Sequence, residues 1–297
     1  MNQKLNISNC HCPGSAPRAF TLIEIMVVMA LLSLIVIALM GVFNATQTAF
    51  RASVTQTDVL EGGRAAMDLI ADDLRGMSPS LGYSNFTTGA VNFYANTNSN
   101  VAPLIQQLVA SSQQRTNVLE NFFILSRDNQ TWTGTGYVVD TASTNYLNPL
   151  YRFSWSTNVA AANPLVLYYI FASEVSDSAF TNMSHLMDGV VGLRVRAYDP
   201  NGLWLTNGYS FPMIPTVKNT YFLPSTSGEV GFYMFSNTLP ASVEIEMATL
   251  EDRTLQTAGT WPNGSAAQNN YLAQQAGKVH VFRQRVTIPN VDPTAYQ

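Results

Sequence analysis

Charge is scarce in this chain of 297 residues: 15 basic and 19 acidic side chains make up 11% of it, for a net charge of −4. A surface that grips nucleic acid needs an excess of Lys and Arg, so that partner is excluded. Disorder is excluded too, because a chain that is 46% hydrophobic and 11% aromatic has ample material for a core. Cysteine occurs only at positions 10 and 12, and a chain this long needs no disulfide or metal staple. Catalytic signatures are missing as well: there is no phosphate-cradling glycine loop, no H-E-x-x-H and no G-x-S-x-G. His185 and His280 lie far apart, and no Asp-x-Asp-x-Asp spacing surrounds Asp72, Asp73 or Asp177 to suggest calcium. The expectation is a protein that is not an enzyme and holds no cofactor or metal.

What the chain does have is one long uncharged stretch. Between Glu24 and Arg51 there is no ionisable side chain, and residues 25–43 are apolar except for Ser33 and Gly41. As a helix those nineteen residues span roughly 28 Å at about 1.5 Å per residue, which matches a bilayer core of about 30 Å. Such a start suits a cleaved secretory signal, a simple anchor, or a leader cut before the apolar run. The flanks discriminate. Asn44-Ala45-Thr46-Gln47-Thr48 lacks a small-x-small cleavage site, and both cysteines precede the run, which excludes lipoprotein processing.

Arg18-Ala19-Phe20-Thr21-Leu22-Ile23-Glu24 followed by the apolar run resembles the signal of type IV pilins and type II secretion pseudopilins. The resemblance implies cleavage between Ala19 and Phe20 by the prepilin peptidase, N-methylation of Phe20, and an assembly role for Glu24, fifth in the mature chain. Ala19 stands where the family usually has Gly, and the leader of nineteen residues is longer than most. A carboxylate beside a membrane span costs a few kcal/mol unless it is matched. The resemblance supplies the match as the amine of Phe20, in the same or a neighbouring subunit. Cleavage would also remove both cysteines, Lys4 and Arg18, leaving 13 basic and 19 acidic side chains and no thiol chemistry.

The expected organisation is a leader over residues 1–19, a transmembrane half-helix over 20–43, an amphipathic half-helix over 44–77 and a β-rich head over 78–297. Leu60, Met67, Ile70, Leu74 and Met77 recur at steps of seven, three, four and three, one stripe of a helix that Gly76 and Pro79 terminate. Gly62-Gly63 interrupts it, where a bend is expected. Strands are expected at 122–126, 150–155, 165–172, 190–198, 230–235, 241–250 and 279–288, with a hairpin turn at Asp199-Pro200-Asn201-Gly202. Polar residues 87–100 and 254–278 read as surface loops. Glu244 and Glu246 are expected opposite either Arg194 and Arg196 or Arg283 and Arg285.

Residues 65–75, Val190 with Leu193, Trp204, and Leu239-Pro240 with Val243 are similar to the J-type minor pseudopilins. The implied fold is α+β: a long N-terminal helix packed on an antiparallel sheet, pilin-like. The implied function is that of a structural subunit in a type II secretion or type IV pilus-like filament, acting in tip assembly or initiation. Implied partners are other pilin-like subunits, the prepilin peptidase and the cytoplasmic membrane, with the head in the periplasm or outside. The alternative is a membrane-anchored adhesin or carbohydrate-binding surface protein.

Overall fold

A computed structural model describes residues 21–85, 87–98, 103–108, 113–143, 146–159, 163–177, 180, 182–206, 217–223 and 228–296. It forms two compact units, Met1–Ser53 and Val54–Gln297, and helix α1 (Leu22–Arg75) contributes to both. The helix closes as Gly76 and Met77 donate their amides to the carbonyls of Asp72 and Leu74.

In the second unit, α1 buries Val59, Ala66, Met67, Ile70, Ala71 and Leu74, a stripe at helical spacing. Leu60 is only half-buried. The helix runs through Gly62 and Gly63 without a break. Gly63 serves close approach instead. A Cβ there would stand 2.3 Å from the Phe282 ring, so only glycine lets this aromatic lie against the helix.

The larger sheet is antiparallel, in the spatial order β7 (Met183–Met187), β6 (Leu150–Asn158), β5 (Thr131–Val139), β4 (Glu120–Asp128), β1 (Val91–Thr97), β10 (Phe232–Phe235) and β9 (Thr220–Phe222). One face sends Phe93, Phe122, Ile124, Tyr137 and Leu150 into the core with α1. The other sends Phe123, Leu125 and Phe153 against α2 (Leu165–Asp177).

Helix α2 corrects the strand expected at 165–172. Its β-favouring composition is overridden by the start signal, Asn163-Pro164, in which Asn163 Oδ1 accepts the amide of Leu165 at 3.0 Å. Leu167 and Phe171, one turn apart, then fill the space over Gly134 and Gly136, where a Cβ at Gly136 would meet Phe171 at 2.4 Å. A strand would put these two side chains on one face but roughly 13 Å apart, at about 3.3 Å per residue, whereas the helix stacks them one turn, about 6 Å, apart.

Residues 87–100 are corrected as well, because they contain β1, central in the sheet. Its Asn92 is fully buried yet satisfied: Nδ2 donates to the carbonyls of Ser236 and Thr238 at 2.9 and 3.0 Å, and Oδ1 accepts the amide of Ser80 at 2.9 Å. Residues 254–278, also expected as a loop, fold largely into α3 (Asp252–Ala258) and α4 (Ala266–Ala273). Ala258 and Leu272 pack there on Val191 and Leu250.

A second antiparallel sheet has the order β12 (Val279–Thr287), β11 (Ser242–Leu250) and β8 (Val190–Tyr198), and its inward residues Leu193, Val195, Val243, Ile245, Met247 and Val286 join the α1 core. The Asp199-Pro200-Asn201-Gly202 turn forms as expected, with Gly202 at φ +82° and its amide on the Asp199 carbonyl at 3.0 Å. A short hairpin, β2 (Leu104–Gln107) with β3 (Gln114–Asn117), lies beside α4, where Gln106 Nε2 donates to the Leu272 carbonyl at 3.1 Å.

The two larger sheets are joined at the start of β4. Leu193 donates its amide to the Val118 carbonyl at 2.8 Å, and Val195 donates to Glu120 Oε2 at 2.5 Å. Glu120 is wholly buried, and among the described residues its Oε1 has no hydrogen-bond partner.

Candidate functional site

The N-terminal site begins with a local signal, Thr21-Leu22-Ile23-Glu24. Thr21 caps α1: its Oγ1 accepts the amide of Glu24 at 3.4 Å, while Glu24 Oε2 accepts the amide and hydroxyl of Thr21, each at 3.0 Å. This reciprocal capping box satisfies amides that would otherwise be orphaned at the helix start, and it places a negative charge at the positive end of the helix dipole. The sequence pattern T-x-x-E announces it, a local signal that coexists with the assembly role the resemblance implies for Glu24. Glu24 therefore has a partner in its own chain. Ala19 and Phe20 lie outside the described residues.

From Leu22 to Arg51 the helix is long and apolar enough to cross a membrane, and among the described residues its side chains are exposed. Its few hydroxyls are matched internally. Ser33, Thr46 and Thr48 donate to the carbonyls of Ala30, Val42 and Asn44 at 2.8, 2.8 and 2.9 Å, so none presents an unmatched donor to lipid.

With this geometry in place, residues 15–40 match the family model of the prokaryotic N-terminal methylation motif. The chain carries a prepilin-type methylation motif. No curated protein and no solved structure matches the chain. The methylation motif thus ends within the apolar helix, and the head must be read from its own residues.

Two polar arrangements in the head stand out. The first ties α1 to the large sheet: Arg152 donates from Nε and one Nη to Asp73 Oδ2 and Oδ1 at 2.8 and 2.9 Å, and the Tyr137 hydroxyl donates to the same carboxylate. Burial, then the Asp73 charge, pushes the Tyr137 phenol well above its usual range, so it remains a donor throughout the working pH range. The bond to Asp73 likewise holds Arg152 above the ordinary arginine range.

The second is a charge ladder on the outward face of the smaller sheet. Because β11 is the central strand, Glu246 stands between Arg194 and Arg283, and Glu244 between Arg196 and Arg285. The two expected pairings are thus both present as register. Actual ion pairs are partly diagonal: Arg283 meets Glu244 at 2.6 Å, and Arg194 meets Glu246 at 3.6 Å. Arg115 joins Glu246 at 3.6 Å, while Glu229 takes Arg196 at 2.6 Å and Arg194 at 3.7 Å. Arg196 and Arg285 also lie over the rings of Trp204 and Tyr198 at 5.0 and 3.9 Å.

The remaining candidates are dispersed. His185 binds Asp188 at 2.8 Å and stacks on Tyr146, whereas His280 sits 3.6 Å from Glu251. Asp72 and Asp73 turn to different arginines, Arg75 and Arg152. Among the described residues no three of His, Cys, Asp and Glu gather as metal ligands.

Proposed function

We propose that the chain is a minor pseudopilin-like structural subunit of a type II secretion or type IV pilus-like filament, most like the J-type, acting in tip assembly or initiation. Cleavage between Ala19 and Phe20 by the prepilin peptidase and methylation of Phe20 would leave the apolar half of α1 in the cytoplasmic membrane and the head on its outer side. The observation that carries this reading is the methylation motif at residues 15–40, running directly into a capped helix that is apolar on every face. The methylation motif belongs to structural proteins, which supports a role in assembly over catalysis.

Intact mass and N-terminal sequencing of the membrane-extracted protein test processing. The expected product starts at Phe20 with one added methyl group, and a start after Phe43 would overturn the reading.

Glu24→Val tests assembly. Loss of the cap costs about 1 kcal/mol at one helix end, too little to unfold the head or release a thirty-residue apolar helix from the membrane. Membrane fractionation is expected to be unchanged while co-purification with other pilin-like subunits falls severalfold. Co-purification at the native level would leave Glu24 as a helix cap alone.

A further inference from the structure

The outward face of the smaller sheet is built in two layers of opposite charge. The carboxylates of Glu229, Glu244 and Glu246 have 7% to 20% of their side-chain surface exposed, whereas Arg194 and Arg283 above them reach 25% and 55%. A partner therefore meets guanidinium first. Arg285 is the most available of these groups. Its Nε donates to Ser242 Oγ at 2.8 Å and its plane is held over Tyr198, yet among the described residues it pairs with no carboxylate. Arg has a rigid fork of donors suited to a carboxylate, and stacking on a ring fixes it in advance.

The complementary surface is on α1. Asp58, Glu61, Asp68 and Asp72 follow one another at steps of three, seven and four, which places them on one helical face, and all four are exposed; Arg64 and Arg75 lie along the edge of that face and leave it two charges negative. Asp58, Glu61 and Asp68 form no ion pair among the described residues, while Asp72 is paired with Arg75 at 2.5 Å. Within one head the two surfaces cannot meet. The buried stripe of α1 packs on the inward residues of the smaller sheet, and the ladder arginines project from the opposite side of that sheet.

We propose that the arginine face of one copy docks on the acidic α1 stripe of a second copy. Two different surfaces of the same chain make a heterologous contact, which leaves one copy with a free arginine face and the other with a free acidic stripe. Exposed Leu69 in the stripe and Val281 beside the ladder supply apolar contact. The inference rests on the reading of the chain as a filament subunit, and it names the head surfaces that such a subunit would use.

Cysteine crosslinking of the full chain in membranes, with Cys10→Ser and Cys12→Ser, tests it. One tagged copy carries Leu69→Cys in the stripe, and a second carries Thr287→Cys, exposed on the ladder face. Oxidation is expected to join the two copies, and Arg283→Glu with Arg285→Glu in the second copy is expected to lower the yield about tenfold. Asp68→Arg with Asp72→Arg in the first copy should then restore it. Thermal unfolding of each variant shows that the head is folded. Absence of the 69–287 link, a dominant link between two copies of the same cysteine, or a yield indifferent to charge reversal would each overturn the proposal. A start after Phe43 in the mature protein would instead overturn the filament reading, so the two failures are told apart.

Discussion

Raising the pH from about 5 to about 9 is expected to weaken the fold of the head, and Glu120→Gln is expected to remove most of that dependence. Burial raises the Glu120 carboxyl to about 8, with the Glu229 charge adding to the effect and the Val195 amide, Arg194 and Arg196 opposing it. A carboxyl raised in the folded state binds its proton more tightly there than in the unfolded chain. Its contribution is therefore fully present below about 4.5 and is lost as the pH rises through about 8. At about 1.4 kcal/mol for each pH unit between those values, the loss is on the order of 5 kcal/mol. Glutamine keeps an acceptor for the Val195 amide and carries no charge, so the join between the two sheets survives. Urea unfolding of the full chain in detergent micelles at several pH values should show variant and parent nearly equal near pH 5. The variant should pull ahead as the pH rises. A constant difference across the range would mean that Glu120 does not titrate in the folded head.

Asp73→Ala is expected to lower stability by about 3 kcal/mol, or roughly 6–12 °C in the unfolding midpoint for a domain of this size. The carboxylate receives both prongs of the Arg152 fork and the Tyr137 hydroxyl, and it is the polar link between α1 and strands β5 and β6. Removing it leaves a half-buried guanidinium and a buried phenol without their acceptor, which costs more than the net worth of the original bonds. Asp72→Ala is the matched control. Asp72 is one position away, largely exposed and, among the described residues, paired with Arg75 on the same helix, so its loss should cost less than about 0.5 kcal/mol. Differential scanning fluorimetry of the two variants decides it: equal shifts would mean that the Asp73 link contributes no more than a surface ion pair.

The membrane-capable helix and the methylation motif could be read from residues 18–43 because both are local. An uncharged run of that length has few physical solutions, and the amphipathic stripe after it follows from the helical repeat alone. The turn at Asp199-Pro200-Asn201-Gly202 and the alternation in β8 and β11 were legible for the same reason, since each is decided within a few residues. The capping box of Thr21 and Glu24 was equally local.

Tertiary contacts decided the rest. Leu165-Val166-Leu167-Tyr168-Tyr169-Ile170-Phe171 favours a strand by composition, and the cap at Asn163-Pro164 together with the space over Gly134 and Gly136 makes it the helix α2. Gly63 looks like a weak point until Phe282, more than two hundred residues later, is found against it. Residues 87–100 and 254–278 look like solvent loops because they are rich in amides, yet Asn92 and Gln268 are buried and bridge separate backbone segments. In a chain this poor in charge, neutral amides supply the internal polar links, and composition cannot tell an amide bound to water from one bound to a distant carbonyl. The ladder makes the same point: period-two spacing put the glutamates and arginines on strand faces, but only the placement of β11 between β8 and β12 determined that both arginine pairs would flank them.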